Sequence, residues 1–429
     1  MVFRLSDVAK HQVLQRDFDK DSISVLLEGG GTQELETGGL YYLIDDEDIT
    51  FRVGDIWVMA GQDNMQGLGD IFDAFTMKNL QQPVRHDEVS LYDSSEHWRK
   101  FDQDPLHELN KSPRTIHHAL PGLIAKHPHT LEFKGASLAP GFVNAFKEIN
   151  ADVPIGLVAC AQEQSTSEVW KATNKGPKSS LYGIMLDKIG KIGGRVAGVL
   201  WYQGESDAIK STKVDNYGLF FQSWISELRK DLNQPNLPVV FVQIGSHNIV
   251  SPEVKENWKK IQEAQFGFFG QSPYVAGVAS LDAALDSSHI LSAAGLSLIG
   301  KRLAYAADKA MKGQGDKATP LPLSAFRQKY TQHYETSSVE MMSINVKFKH
   351  LDSPWKLEPD QIVIGFSFGE QETPIIKAFV ADAETGIVRL YLPKVIEEPL
   401  TLHYGMQPGQ ANLITKDGRA LPAFRNFLV

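Results

Sequence analysis

Five apolar runs of strand length constrain the fold of this chain more than any other feature: DIWVMA (55–60), PIGLVACA (154–161), VAGVLWY (196–202), PVVFVQI (238–244) and YVAGVAS (274–280). They are near-continuous rather than alternating, as expected of strands covered on both faces of a parallel sheet. Helix-like segments lie between them. FVNAFKEINA, SSLYGIMLDKIGKI, NYGLFFQSWISELRKDL and NWKKIQEAQFGFF precede the second to fifth runs, and AAGLSLIGKRLAYAADKAM follows the fifth. Strands alternating with helices imply a doubly wound α/β sheet.

Each run leads into polar residues: GQDNM after the first, QEQSTSE after the second, QGESD after the third, GSHN after the fourth, and LDAALDSSH after the fifth. Ligands of open α/β sheets bind outside the carboxyl ends of the strands. Five such clusters therefore converge on one place, which reads as a site rather than as five solvated loops.

At 429 residues the chain is long enough for two or three domains. Residues 1–50 hold alternating stretches (SISVLLE, GLYYLID) split by glycines, a small β element. Residues 51–315 carry the α/β pattern, interrupted at 70–137 by a stretch without clear period that reads as an irregular insertion. Residues 316–429 switch to β periodicity (SINVKFKH, QIVIGFSF, IIKAFVAD, IVRLYLP, LTLHYGM), an antiparallel β domain.

The net charge of −9 argues against nucleic acid as partner, which would need a basic face. No run of 18 apolar residues would span a membrane, and the first residues lack the pattern of a secretion signal. Cytoplasm is the expected location, or a virion if the chain is phage-encoded. The single cysteine, Cys160, lies in an apolar run and reads as a packed thiol. Seven of the thirteen histidines fall in 70–137, including IHH (116–118) and HPH (127–129), without the spacing of a zinc site. Neither metal nor cofactor is expected.

VGDIWVMAGQDNM (53–65), VAGVLWYQGESDA (196–208) and DSSH (286–289) before AAGLSLIGKRLA resemble the signature blocks of SGNH-type carbohydrate esterases, within them the sialate O-acetylesterase group. The closing segment, LTLHYGMQPGQANLITKDGRALPAFRNF, resembles that group's last β segment. The resemblance implies a flavodoxin-like α/β fold and acyl transfer on a glycan or acetylated sugar. A serine on the first strand's elbow attacks the acetyl carbonyl, a histidine serves as base, an aspartate orients it, and N–H groups and amides hold the oxyanion. On this chain it implies His289 as base and Asp286 as its partner. Gln62, Asn64, Gln203, Glu205 and Trp170 are expected to line the site.

Two positions depart from that pattern. The family has serine where this chain has Asp63, and a glycine pair where it has Glu163 and Gln164. A carboxylate attacking an acetyl ester would make a mixed anhydride. The expelled sugar alkoxide has a conjugate-acid pKa roughly eight or nine units above a carboxylic acid's, so the exchange runs uphill by about 11 kcal/mol. Three roles stay open for Asp63. With His289 it can activate water for hydrolysis of an acetyl ester. It can act with Glu163 or Glu205 as a glycosidase-like pair. Or catalysis is lost, and the sheet edge only holds a sugar.

Overall fold

The computed structural model describes every residue except 1–2, 44–48, 74, 103–105, 121, 123–128, 130–131, 211–213, 359–360, 370–373 and 408–410. All five apolar runs form strands of one nine-stranded sheet. Its main strands are β1 (Thr50–Gly61), β2 (Val89–Tyr92), β3 (Trp98–Lys100), β4 (Ile155–Ala159), β5 (Gly198–Tyr202), β6 (Val239–Gln243) and β7 (Val275–Ala279). They lie in the order β7-β6-β5-β1-β4-β2-β3, and every neighbouring pair is parallel except β2 with β3. Taken alone, the five runs have the flavodoxin-like order second-first-third-fourth-fifth, with the chain reversing direction across β1.

The expected helices are all present: α2 (Ala139–Ile149), α3 (Leu181–Lys191), α5 (Tyr217–Asp231), α6 (Pro252–Phe266) and α7 (Ala293–Met311). Two short helices, α1 (Asp63–Gln66) and α4 (Glu205–Lys210), begin just past the ends of β1 and β5. Helices cover both faces, so β4 to β7 are buried throughout their lengths. That double burial is why these strands read as unbroken apolar runs.

β1 starts earlier than its apolar run. Residues 50–54 extend it to pair with Val13–Gln15 and Leu40–Tyr42, and Phe51 and Val53 join a small core with Val8, Leu14, Val25 and Leu35. The stretch 70–137 is less irregular than its sequence implies. VSLY (89–92) is strand β2, added in parallel to β4, and Trp98–Lys100 pairs back on it. Runs of three and four residues are too short to show a period. His127 of the HPH stretch lies outside the described residues.

Past α7, a second core surrounds antiparallel strands. Leu321–His333, Ser338–Lys349, Ile387–Leu392 and Lys377–Asp382 form one sheet in that order, and Phe366–Phe368, Thr401–Tyr404 and Phe424–Leu428 a second. Only Phe366–Phe368 of QIVIGFSF is a strand. The strand Leu321–His333 escaped the sequence reading because most of its side chains are polar and exposed.

Candidate active site

The elbow after β1 is built on close backbone contact. At Gly61, φ is +134° and an added Cβ would lie 2.1 Å from the Tyr202 carbonyl oxygen of β5. Only glycine allows the two strand ends to approach this closely. The chain then turns through Gln62 into the single turn of α1, which begins with Asp63 and closes on Gly67 in the left-handed region (φ +91°).

Gln62 ties the two strand ends together. Its Oε1 accepts from Gln203 Nε2, Gly204 N and Ser206 N, each at 3.1 Å. Its Nε2 donates to Ser206 Oγ at 2.9 Å and to Asp63 Oδ2 at 2.8 Å. With all these bonds made and the side chain fully buried, Gln62 fixes the position of Asp63 instead of facing a ligand. Gln203 likewise donates to Gln62, to the Ser165 carbonyl at 3.2 Å and to Asp207.

Asp63 is 2% exposed and accepts three hydrogen bonds. Oδ1 takes the Gln164 backbone N–H at 2.7 Å; Oδ2 takes Gln62 and stands 3.2 Å from His289 Nε2. Burial alone would push this carboxyl up. The His289 hydrogen bond and charge, with the Gln164 and Gln62 donors, more than offset it and hold Asp63 below the usual carboxylate range. Burial in turn opposes charge on His289, but Asp63 first and Glu205 second raise the imidazole above its ordinary value. When the imidazole is protonated, the two groups form an ion pair at the carboxyl end of the central strand.

Gln164 holds a left-handed backbone (φ +58°) to present its N–H to Asp63. A side chain at such φ costs free energy that glycine avoids.

Asn64 anchors the histidine loop. Its Nδ2 donates to Glu205 Oε1 and to the His289 carbonyl, both at 3.0 Å, and its Oδ1 accepts from Leu291 N at 2.8 Å. Glu205 is 1% exposed, and its Oε2 is buried with no hydrogen-bond partner among the described residues. Burial, then the charge of Asp63, raises this carboxyl to about 7.

Besides Gln62, three expected site residues are placed differently. The Asp286 carboxylate accepts the Asp70 backbone N–H at 2.7 Å and makes no hydrogen bond to His289. The second ring nitrogen of His289, Nδ1, lies 2.9 Å from Ser288 Oγ instead. Trp170 is fully buried, donates to Ser165 Oγ at 3.0 Å and packs edge-on against Trp201 at 5.2 Å, so it belongs to the core and not to a ligand-facing wall. The Glu163 carboxylate lies 3.4 Å from Gln66 Nε2, whereas Asp63 faces Gln62, Gln164 and His289.

Ser288 and Gln66 were not singled out in the sequence. Ser288 stands inside the DSSH block, but adjacency in sequence does not show which ring nitrogen it meets. Gln66 latches α1 to the loop after β4, accepting the Glu163 backbone N–H and offering its carbonyl to His107.

His107 and His117, from the insertion, are buried beside this latch, and burial lowers them to about 3 and about 4. Among the described residues no group of three or more His, Cys, Asp or Glu is arranged to hold a metal ion. Cys160 is buried, and burial raises its thiol to about 11, out of reach of thiolate chemistry at neutral pH. No described helix is long and apolar enough to cross a membrane.

The fold is that of an SGNH-like carbohydrate esterase. Residues 53–309, more than half of the chain, match the family model for "carbohydrate esterase, sialic acid-specific acetylesterase", and the chain belongs to that family. A probable carbohydrate esterase of Arabidopsis thaliana is 33% identical over 181 residues, a match spanning 40% of this chain and 64% of the relative. The crystal structure of a carbohydrate acetylesterase from Xanthomonas citri shares the fold over 99% of both chains, with a TM-score of 0.66 at 19% identity.

Proposed function

We propose that the protein removes O-acetyl groups from a carbohydrate, with His289 as general base and Asp63, in the place of the family's serine, as its ionic partner and not as a nucleophile. The Asp63 Oδ2–His289 Nε2 contact of 3.2 Å, at the strand end where the family model matches, carries this reading. A low carboxyl and a raised imidazole are what an orienting pair requires, and they leave Asp63 a poor proton carrier. With Asp63 ionised, the Nε2 proton faces it. The lone pair that accepts a proton in the reaction is then on Nδ1, the ring nitrogen turned toward Ser288. The attacking oxygen approaches from that side, so Asp63 need not meet the substrate and no mixed anhydride is formed. General-base assistance of this kind contributes about a hundredfold to ten-thousandfold in rate.

The glycosidase-like reading draws support from one observation. Asp63 is held low while Glu205 is raised to about 7, the separation an acid and a base need. Both carboxylates are closed to solvent, however, at 2% and 1% exposure. A sugar ring cannot enter between them without dismantling the Gln62 and Asn64 hydrogen bonds. Ester hydrolysis outside that closed pair is the better-supported chemistry.

The test is substrate discrimination. Acetate should be released from O-acetylated monosaccharides, acetylated sialic acid among them, while aryl glycosides stay intact. Cleavage of the glycoside with the ester untouched would reverse the assignment. Saturable glycan binding with neither reaction would mark a binding protein.

A further inference from the structure

We infer that Ser288 is the nucleophile of this chain, activated through a relay Asp63–His289–Ser288 that crosses the imidazole in the sense opposite to the one the family blocks imply. This rests on the ester-hydrolysis reading above and names the oxygen that attacks. The geometry is continuous: Asp63 Oδ2 to His289 Nε2 is 3.2 Å, and His289 Nδ1 to Ser288 Oγ is 2.9 Å. A nucleophile, a base hydrogen-bonded to it and a third group orienting the base are the elements such catalysis needs. Asp286, the carboxylate expected on Nδ1, accepts the Asp70 N–H and makes no hydrogen bond to His289, whose Nδ1 meets Ser288.

Exposure favours Ser288 over the buried hydroxyls at the strand ends, and its contact with His289 Nδ1 distinguishes it from its exposed neighbour Ser287. Ser165 and Ser206 are buried, and their hydroxyls are bound within the Gln62 and Trp170 network. Ser288 is exposed and its backbone is held in place, because its carbonyl accepts the Asn248 N–H at 2.8 Å. The loop that carries Asn248 also carries His247. His247 Nδ1 accepts the Ile249 N–H at 3.1 Å, so the neutral ring carries its proton on Nε2. Burial keeps that ring neutral near pH 7. Its centroid lies 4.8 Å from that of Trp258, which packs edge-on to His289 at 6.2 Å, so the two imidazoles share one aromatic wall.

The steps balance without a co-reactant other than water. Ser288 Oγ bonds to the acetyl carbon as its proton passes to His289 Nδ1, and the carbonyl oxygen takes the negative charge. The bond from that carbon to the sugar oxygen breaks, and the Nδ1 proton goes to the departing oxygen, leaving acetyl-Ser288. Water then attacks the same carbon, giving a proton to Nδ1. Ser288 Oγ leaves and recovers it, and acetate is released.

The test uses the full chain with diisopropyl fluorophosphate as covalent probe and 4-nitrophenyl acetate and O-acetylated xylose as substrates. A single phosphoryl adduct should map to Ser288 and be absent from Ser288→Ala, and that variant should lose at least a hundredfold in kcat. Ser287→Ala, its exposed neighbour, should retain both adduct and activity. Ser288→Cys should give a thioester trappable by mass spectrometry. If the wild type releases acetate while Ser288→Ala keeps its rate within threefold, or the adduct lies elsewhere, the inference falls and the esterase reading stands with water as attacker. If the wild type releases no acetate from either substrate, the esterase reading itself fails and this relay with it.

Discussion

Replacing Asp63 by asparagine removes the charge of the Asp63–His289 pair; the amide oxygen still accepts the Gln164 N–H, while the amide nitrogen in the place of Oδ2 no longer accepts from Gln62 or His289. Two unit charges at the observed 3.2 Å, with an effective dielectric of about 20, attract by about 5 kcal/mol. Much of that offsets the cost of burying both groups, and a hydrogen bond between charged partners contributes a net of about 1.5–3 kcal/mol. A loss of about 2 kcal/mol in unfolding free energy is expected near pH 6.

The pH dependence has a definite sign. His289 is raised in the fold above 6.5, so its share is fully present below 6.5 and disappears as pH rises through the folded value. Asp63 is lowered below 3.8, so its share is present above 3.8 and disappears as pH falls through the folded value. The difference between wild type and Asp63→Asn should therefore be greatest from about pH 4 to 6.5 and shrink in alkali. Urea unfolding across pH gives the energies, and histidine-selective NMR gives the His289 titration, which should move to lower pH in the variant. A penalty independent of pH from 5 to 9, with His289 titrating unchanged, would refute the ion pair.

Glu205→Gln should flatten a separate window. The wild-type carboxyl, raised from 4.5 to about 7, makes folding less favourable as pH climbs between those values, on the order of 3 kcal/mol in all. Urea titrations of the variant should lack that decline, and an unchanged slope would show that Glu205 is not held protonated. Asp286→Ala should keep kcat within tenfold, because its carboxylate holds the Asp70 N–H and not the imidazole; a loss of a thousandfold would restore Asp286 as the orienting residue. Trp170→Ala should cost about 3–5 kcal/mol in stability as a core deletion, while KM of the surviving folded protein stays unchanged; a raised KM at full stability would return the indole to the substrate.

The parallel sheet was legible because burial on both faces removes polar residues from β4 to β7 altogether, leaving nothing for periodicity to confuse. The location of the site was legible for a related reason, since polar clusters at successive strand ends have one edge on which to meet. Strand β2 was hidden by its length of four residues, and Leu321–His333 by its solvent-facing polar side chains. Direction inside the site was the harder matter. Sequence placed Asp63, His289, Asn64 and Glu205 together, yet Asp286 and Ser288 lie three and one residues from His289, and either spacing permits contact with the ring. In the fold Ser288 meets Nδ1, while Asp286 accepts the N–H of Asp70, from a segment more than two hundred residues away in the chain. Trp170 was misread because an aromatic residue beside a polar cluster looks the same in sequence whether its ring packs on Trp201 or on a sugar.

The central claim is that His289 is the base of a carbohydrate O-acetyl hydrolase. It is tested most directly by comparing acetate release from an O-acetylated sugar by the wild type and by His289→Ala at pH 8. The account predicts steady turnover by the wild type and a loss of at least about a hundredfold in kcat/KM in the variant. Equal rates in the two proteins, or no acetate from the wild type, would contradict it.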